Sequence, residues 1–173
     1  MSTRSLLARL ALGAALVTTV TSGLATGSGA ADGAVTARAA LTDLLPAAPN
    51  PSDGAEARFW AYPDGQGTTA ILAVTGLSSA SVGKTYGAHV HSGPCVPGLG
   101  SAAGPHFNVG GPADVDHEVW LDFTVRPGGV AVSRTSVPFV IPHGAARSVV
   151  IHEQATQVGG GAGPRMACLP VSF

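Results

Sequence analysis

Glycine and proline cut this chain into short pieces. There are 24 glycines and 13 prolines among 173 residues, roughly a fifth of the sequence. Proline breaks a helix interior and glycine weakens it, so a helical bundle is excluded and short strands joined by turns are favoured. Suitable strands are present. From Glu56 onward, Ala57, Phe59 and Ala61 alternate with Arg58, Trp60 and Tyr62, and Pro63-Asp64-Gly65 then turns the chain. Thr69 to Val74 reads as the return strand and Thr85 to His91 as the next. Val119, Leu121, Phe123 and Val125 alternate with Trp120, Asp122 and Thr124, the pattern of a half-buried strand. Val130 to Ser133, Ser136 to Ile141, Arg147 to His152 and Arg165 to Leu169 complete the set. Short strands in this number, with turns between them, predict an all-β antiparallel sandwich or barrel.

Charge excludes some partners. Only 11% of residues are charged, Lys84 is the single lysine, and the formal net charge is -1. A nucleic-acid or anionic-membrane binder shows a basic excess or a basic run, and neither is visible here. Nor does a glycine-rich loop lead from a strand into a helix, so nucleotide binding has no support.

Part of the low charge comes from the beginning of the chain. Arg4 and Arg9 precede an apolar run from Leu10 to Leu24, and the small residues Ser28, Gly29, Ala30 and Ala31 follow. This is the pattern of a secretory signal, predicted over 1–31, and Thr18, Thr19 and Thr21 shorten its apolar core below spanning length. Export to the cell envelope or beyond is expected, with no membrane insertion once the signal is removed. Residues 32–55 read as a flexible tether, with a turn or two of helix over Ala39 to Leu45 ended by Pro46, Pro49 and Pro51. Residues 56–173 form the domain. Cys95 and Cys168 are the only cysteines, and an oxidising compartment favours their bonding.

The histidines point to the chemistry. His89 and His91 stand two apart on a predicted strand, so both rings leave the same face. His106 follows in Gly104-Pro105-His106-Phe107-Asn108, and His152 ends the strand Val149-Val150-Ile151. Four imidazole nitrogens suit copper or zinc, and favour a copper that cycles between two oxidation states.

Taken in order, His89-Val90-His91, Ala103-Gly104-Pro105-His106-Phe107-Asn108, Arg147 to Glu153 and Gly161-Ala162-Gly163-Pro164-Arg165-Met166-Ala167-Cys168 resemble the copper/zinc superoxide dismutase family. The fifteen-residue step from His91 to His106 matches as well. The resemblance spans about Glu56 to Phe173. It implies an eight-stranded antiparallel Greek-key β-barrel or sandwich, the architecture already known for that family. It further implies copper held by His89, His91, His106 and His152, with His106 the bridging ligand. Arg165 would draw superoxide to the metal, and a Cys95–Cys168 disulfide would tie the ligand-bearing loop to the barrel. The implied reaction is dismutation of superoxide to oxygen and hydrogen peroxide.

The chain departs from the family pattern in both long loops. Between His106 and the next strand it offers only His117 as a further zinc histidine, with Asp114 or Asp116 nearby, and Trp120 stands three positions after His117. That set falls short of the four ligands of a closed zinc site. The loop from His152 to Arg165 is also short, at twelve residues. Shortening of both loops resembles the copper-only branch of the family, in which a glutamate orients the bridging histidine. Glu118 is the candidate for that role, through a carboxylate–imidazole hydrogen bond; His117 is its rival, sharing parity with Val119, Leu121 and Phe123. Two functions follow: an exported copper superoxide dismutase, or a non-catalytic copper-binding or structural domain on the same scaffold.

Overall fold

The computed structural model describes residues 33–46 and 49–173. The predicted secretory signal therefore lies outside the described residues. Ten strands occur among them: β1 (Val35–Ala40), β2 (Thr42–Asp43), β3 (Glu56–Pro63), β4 (Thr68–Thr75), β5 (Thr85–Tyr86), β6 (Ala88–His91), β7 (Phe123–Thr124), β8 (Ala131–Val137), β9 (Ser148–His152) and β10 (Arg165–Pro170). They build one four-stranded sheet in the order β1-β3-β4-β8, another in the order β2-β10-β9-β6, and a two-stranded β5-β7 ribbon. Every pairing between them is antiparallel. The all-β antiparallel sandwich expected from the turn punctuation is the fold.

The two four-stranded sheets share one apolar core. Alternation places Ala57, Phe59 and Ala61 of β3 and Ala70, Leu72 and Val74 of β4 in it, facing Val90, Val149, Ile151 and Leu169 of the other sheet. Many of these residues are alanines, so a few large side chains carry most of the packing. Phe59 is fully buried and meets Phe173 edge to face, with centroids 5.9 Å apart. At the β3–β4 turn, Asp64 Oδ1 accepts from the Gln66 and Gly67 amides and Oδ2 accepts from the Thr69 hydroxyl. These bonds hold the Asp64 carboxyl below its ordinary pKa, Thr69 contributing most.

Three expectations need correction. Residues 35–43 are not a tether and hold no helix. β1 pairs with β3 over six residues, from Val35↔Ala61 to Ala40↔Glu56, and β2 pairs with β10 through Asp43↔Ala167 and Thr42↔Cys168. The inward residues of β1 are Val35, Ala37 and Ala39, so its alternation is carried mostly by alanine and is faint in the sequence. Val130–Ser133 and Ser136–Ile141 are not two strands. Arg134 and Thr135 continue the ladder with β4, and one strand runs to Val137, where Pro138 ends it. Finally, the segment 119–125 keeps its alternating burial but pairs regularly only at β7, with an isolated pairing of Trp120 to His89.

The second sheet is unusual in being covered on both faces. Val149 and Ile151 of β9 point into the core, whereas Val150 points outward against Leu44, Ala103 and Cys168. The Cys95–Cys168 disulfide, with Cα atoms 5.6 Å apart, closes this outer layer and joins residues 73 apart in sequence. It fixes the 92–104 loop to β10, as expected. A structural disulfide is compatible with an extracellular location.

Candidate metal centre

The outer face of the β10-β9-β6 sheet carries the histidines. In the β6–β9 register His89 lies opposite Val150 and His91 opposite Ser148, so both imidazoles share the outward face. His152 ends β9 on that face, and an isolated pairing of His91 with His106 brings in the fourth ring from the following loop. One ring nitrogen from each of His89, His91, His106 and His152 lies within 4.8 Å of the other three. His89 and His91 are fully buried and His152 nearly so, while His106 keeps an exposed edge.

Each outer nitrogen has a partner whose chemistry fixes the tautomer. His91 Nδ1 donates to the Gly104 carbonyl at 3.1 Å, and His152 Nδ1 to the Gly163 carbonyl at 3.0 Å. A carbonyl only accepts, so the Nε2 of each ring keeps a lone pair. His106 Nδ1 donates to Glu118 Oε2 at 2.7 Å, again leaving Nε2 free. At His89 the roles are reversed. Thr156 Oγ1 donates to Asp122 Oδ1 at 2.6 Å, so it can only accept from His89 Nε2 at 2.7 Å. His89 Nδ1 is then the inward lone pair, and it is a buried side-chain nitrogen with no partner.

Four acceptor lone pairs therefore converge without a donor among them. The Nε2 atoms of His91 and His152 stand 3.4 Å apart, and bare lone pairs at that distance repel. A buried unsatisfied nitrogen such as His89 Nδ1 costs about 1–3 kcal/mol, and a cation among the four rings removes that cost and the repulsion together. Burial also keeps His91 and His152 neutral: it pushes His91 down to about 3 and His152 to about 4, with the charge of Arg165 adding to it. Neutral imidazoles are the form that binds a metal. The donor set, all nitrogen with no thiolate or carboxylate, fits copper or zinc.

Sequence reasoning singled out Glu118, and the structure places it against His106. It is almost wholly buried, and its carboxylate also accepts from Trp120 Nε1 at 2.8 Å and Asn108 Nδ2 at 3.2 Å. The short loop after His152 crosses over this bond. A Cβ on Gly160, which has φ +80°, would lie 3.4 Å from Glu118 Oε2 and 3.6 Å from His106 Nδ1. His117 is not brought to the cluster. Its Nδ1 bonds Asp114 Oδ1 at 2.6 Å and its ring lies over Gly111. This contact holds the Asp114 carboxyl below its ordinary pKa. Among the described residues His117 with Asp114 or Asp116 joins His106 in no metal-compatible group, so the zinc set considered for them is not assembled. His143 is exposed in a turn.

Arg165 reaches the same face by a bulge. β10 pairs Arg165 with His152 and Cys168 with Val150, although the two residues are three apart and a regular strand would turn them to opposite faces. The extra residue between Arg165 and Ala167 restores the parity. Arg165 Nη1 donates to the Gly100 carbonyl at 2.7 Å, in a surface depression also lined by Gly104 and Gly163, the glycines that hold His91 and His152. Partial burial lowers the pKa of Arg165, and the guanidinium stays charged.

Thr156, Asp122, Asn108 and Trp120 were not found as site residues by sequence reasoning. Asp122 and Trp120 stand out in the sequence only as members of the alternating segment 119–125. No protein-family model and no curated protein matches the chain.

Proposed function

We propose that this protein is an exported copper superoxide dismutase, with His89, His91, His106 and His152 as the copper ligands. The observation that carries the reading is the convergence of four forced lone pairs beside a fixed, solvent-reached guanidinium. Copper held by these four rings would supply a one-electron couple, able to take an electron from one superoxide to give oxygen and return it with two protons to a second to give hydrogen peroxide.

The chain's own residues account for the rest. Arg165 holds a permanent positive charge where a small anion arrives, which raises encounter rates. Its bond to Gly100 keeps the guanidinium in one place. Glu118 keeps a hydrogen on His106 Nδ1, so any proton this ring carries during turnover sits on Nε2, the cluster side. The exposed edge of His106 is where that proton can exchange with solvent. Gly160 and its neighbours shield the Glu118–His106 bond from water. A guanidinium at the mouth is what separates this reading from a copper-binding domain without activity, which has no use for it.

Superoxide decay in the presence of the copper-loaded Arg165→Ala variant tests the assignment. The expected result is slowed turnover with copper retained. Loss of copper would show that Arg165 is structural, and copper retained with unchanged turnover would show that it has no part in substrate capture.

A further inference from the structure

The outer face of the other sheet, remote from the histidines, has a composition that packing does not explain. Antiparallel register sets Arg38 directly opposite Arg58, in a cross-strand row continued by Ala73 and Val132. The next row is Thr36, Trp60, Ile71 and Arg134. Like charges set opposite each other across strands are destabilising. One carboxylate stands beside them, Glu56, and Arg38 takes it at 3.1 Å. Among the described residues Arg58 and Arg134 have no acidic side chain within 4.0 Å, and both are exposed. Three of the seven basic residues beyond position 31 are thus gathered on one face of an acidic chain. β1, β3 and β8 are far apart in sequence, so no basic run announces it.

We propose that this face binds an acidic polysaccharide whose sugar rings carry carboxylates. Arginine forks match planar carboxylates in a bidentate way that lysine does not. Arg58 and Arg134 stand about 12 Å apart, two strand spacings across and two residues along, so they engage separate acidic groups of an extended chain. Two depressions flank Trp60, one lined by Thr36, Arg38 and Arg58, the other by Arg38, Glu56, Arg58, Ala73 and Thr75, where Glu56 is the carboxylate that Arg38 already holds. The half-buried indole gives a flat apolar platform for a sugar ring, and the threonine hydroxyls lie within reach of its hydroxyls. A second copy of the chain fits poorly, because a two-fold contact would bring six arginines together with only two carboxylates, one Glu56 from each copy. An acidic protein partner would need a wider apolar centre than the half-buried Trp60 and the exposed Val132 supply. Three arginines hold an anionic bilayer only weakly.

Binding of the purified protein to alginate, a polyuronate, tests this by calorimetry at low and moderate ionic strength. Alginate is expected to bind, to weaken with salt, and to lose at least tenfold in affinity in the Arg58→Gln/Arg134→Gln variant. Both sites are exposed, and an unchanged thermal midpoint checks the fold. Trp60→Leu is expected to weaken alginate binding further at the same net charge. Unchanged affinity in the double arginine variant would overturn the proposal. Polyglutamate or phosphatidylglycerol vesicles bound as tightly as alginate would overturn it too, pointing to an acidic protein or a lipid surface. The copper site is on the opposite sheet, so either outcome leaves the dismutase reading untouched.

Discussion

At His89 one hydroxyl decides which nitrogen faces the cluster. Asp122 takes the Thr156 hydrogen, and Thr156 is left with acceptor capacity alone for His89 Nε2. A valine at 156 keeps the size and loses the acceptor, so the ring is free to choose the wrong tautomer. Thr156→Val is expected to weaken copper binding by about 10–100-fold, the usual effect of losing a residue that orients a ligand. Competition with a chelator measures it. Glu118→Gln is expected to fall in the same range, because Glu118 holds His106. Protons compete at the same nitrogens. In the metal-free fold His91 and His152 titrate at about 3 and 4, chiefly through burial, against about 6.5 in an unfolded chain. Below pH 6.5 the unfolded chain takes up protons that the fold refuses, so stability present above that pH is lost as pH falls towards 4. Each ring contributes a slope of about 1.4 kcal/mol per pH unit in that window. The thermal midpoint of the metal-free protein should therefore drop between pH 7 and 5, and a midpoint independent of pH would contradict the buried neutral histidines.

Among the elements, the bulge in β10 and the glycines of two short loops do most to aim the site. Gly160→Ala forces a side chain into a left-handed backbone position and against Ala113 and the Glu118–His106 bond. Weaker copper binding with a modest loss of stability is expected, read by chelator competition and thermal melting. The disulfide acts on the same loop system. Replacing Cys95 and Cys168 by alanine should cost about 4 kcal/mol of unfolding free energy in the chain-entropy view, measured by urea titration. It should weaken copper too, because the 92–104 loop ends at Gly104, the partner of His91. Much of this architecture is legible in the sequence. The strands with large inward residues, such as Phe59 and Leu72, stand out by parity, and His89 and His91 by their two-residue step. β1 does not, because alanine marks a buried position too weakly. The helpers of the cluster are hidden for a different reason. Asp122 and Thr156 are 34 residues apart and meet only through the fold. Spacing along a chain carries no trace of such a contact.

For the whole molecule, two sheets divide the work. One carries three histidines and an arginine, with His106 brought in from a loop, beside a disulfide-bound layer, and the other turns arginines and an indole to solvent. The low overall charge conceals this separation, because the few basic residues are concentrated rather than sparse everywhere. On the proposed dismutase reading, steering of a small anion rests mainly on Arg165, so turnover should fall with rising ionic strength less steeply than for a site ringed by charge. The most direct measurement is superoxide decay by pulse radiolysis, with the purified protein loaded with copper alone and compared with its His89→Ala variant. Decay that is catalytic in copper-loaded protein and lost in the variant is the predicted result. A rate no faster than that of His89→Ala would contradict a copper superoxide dismutase.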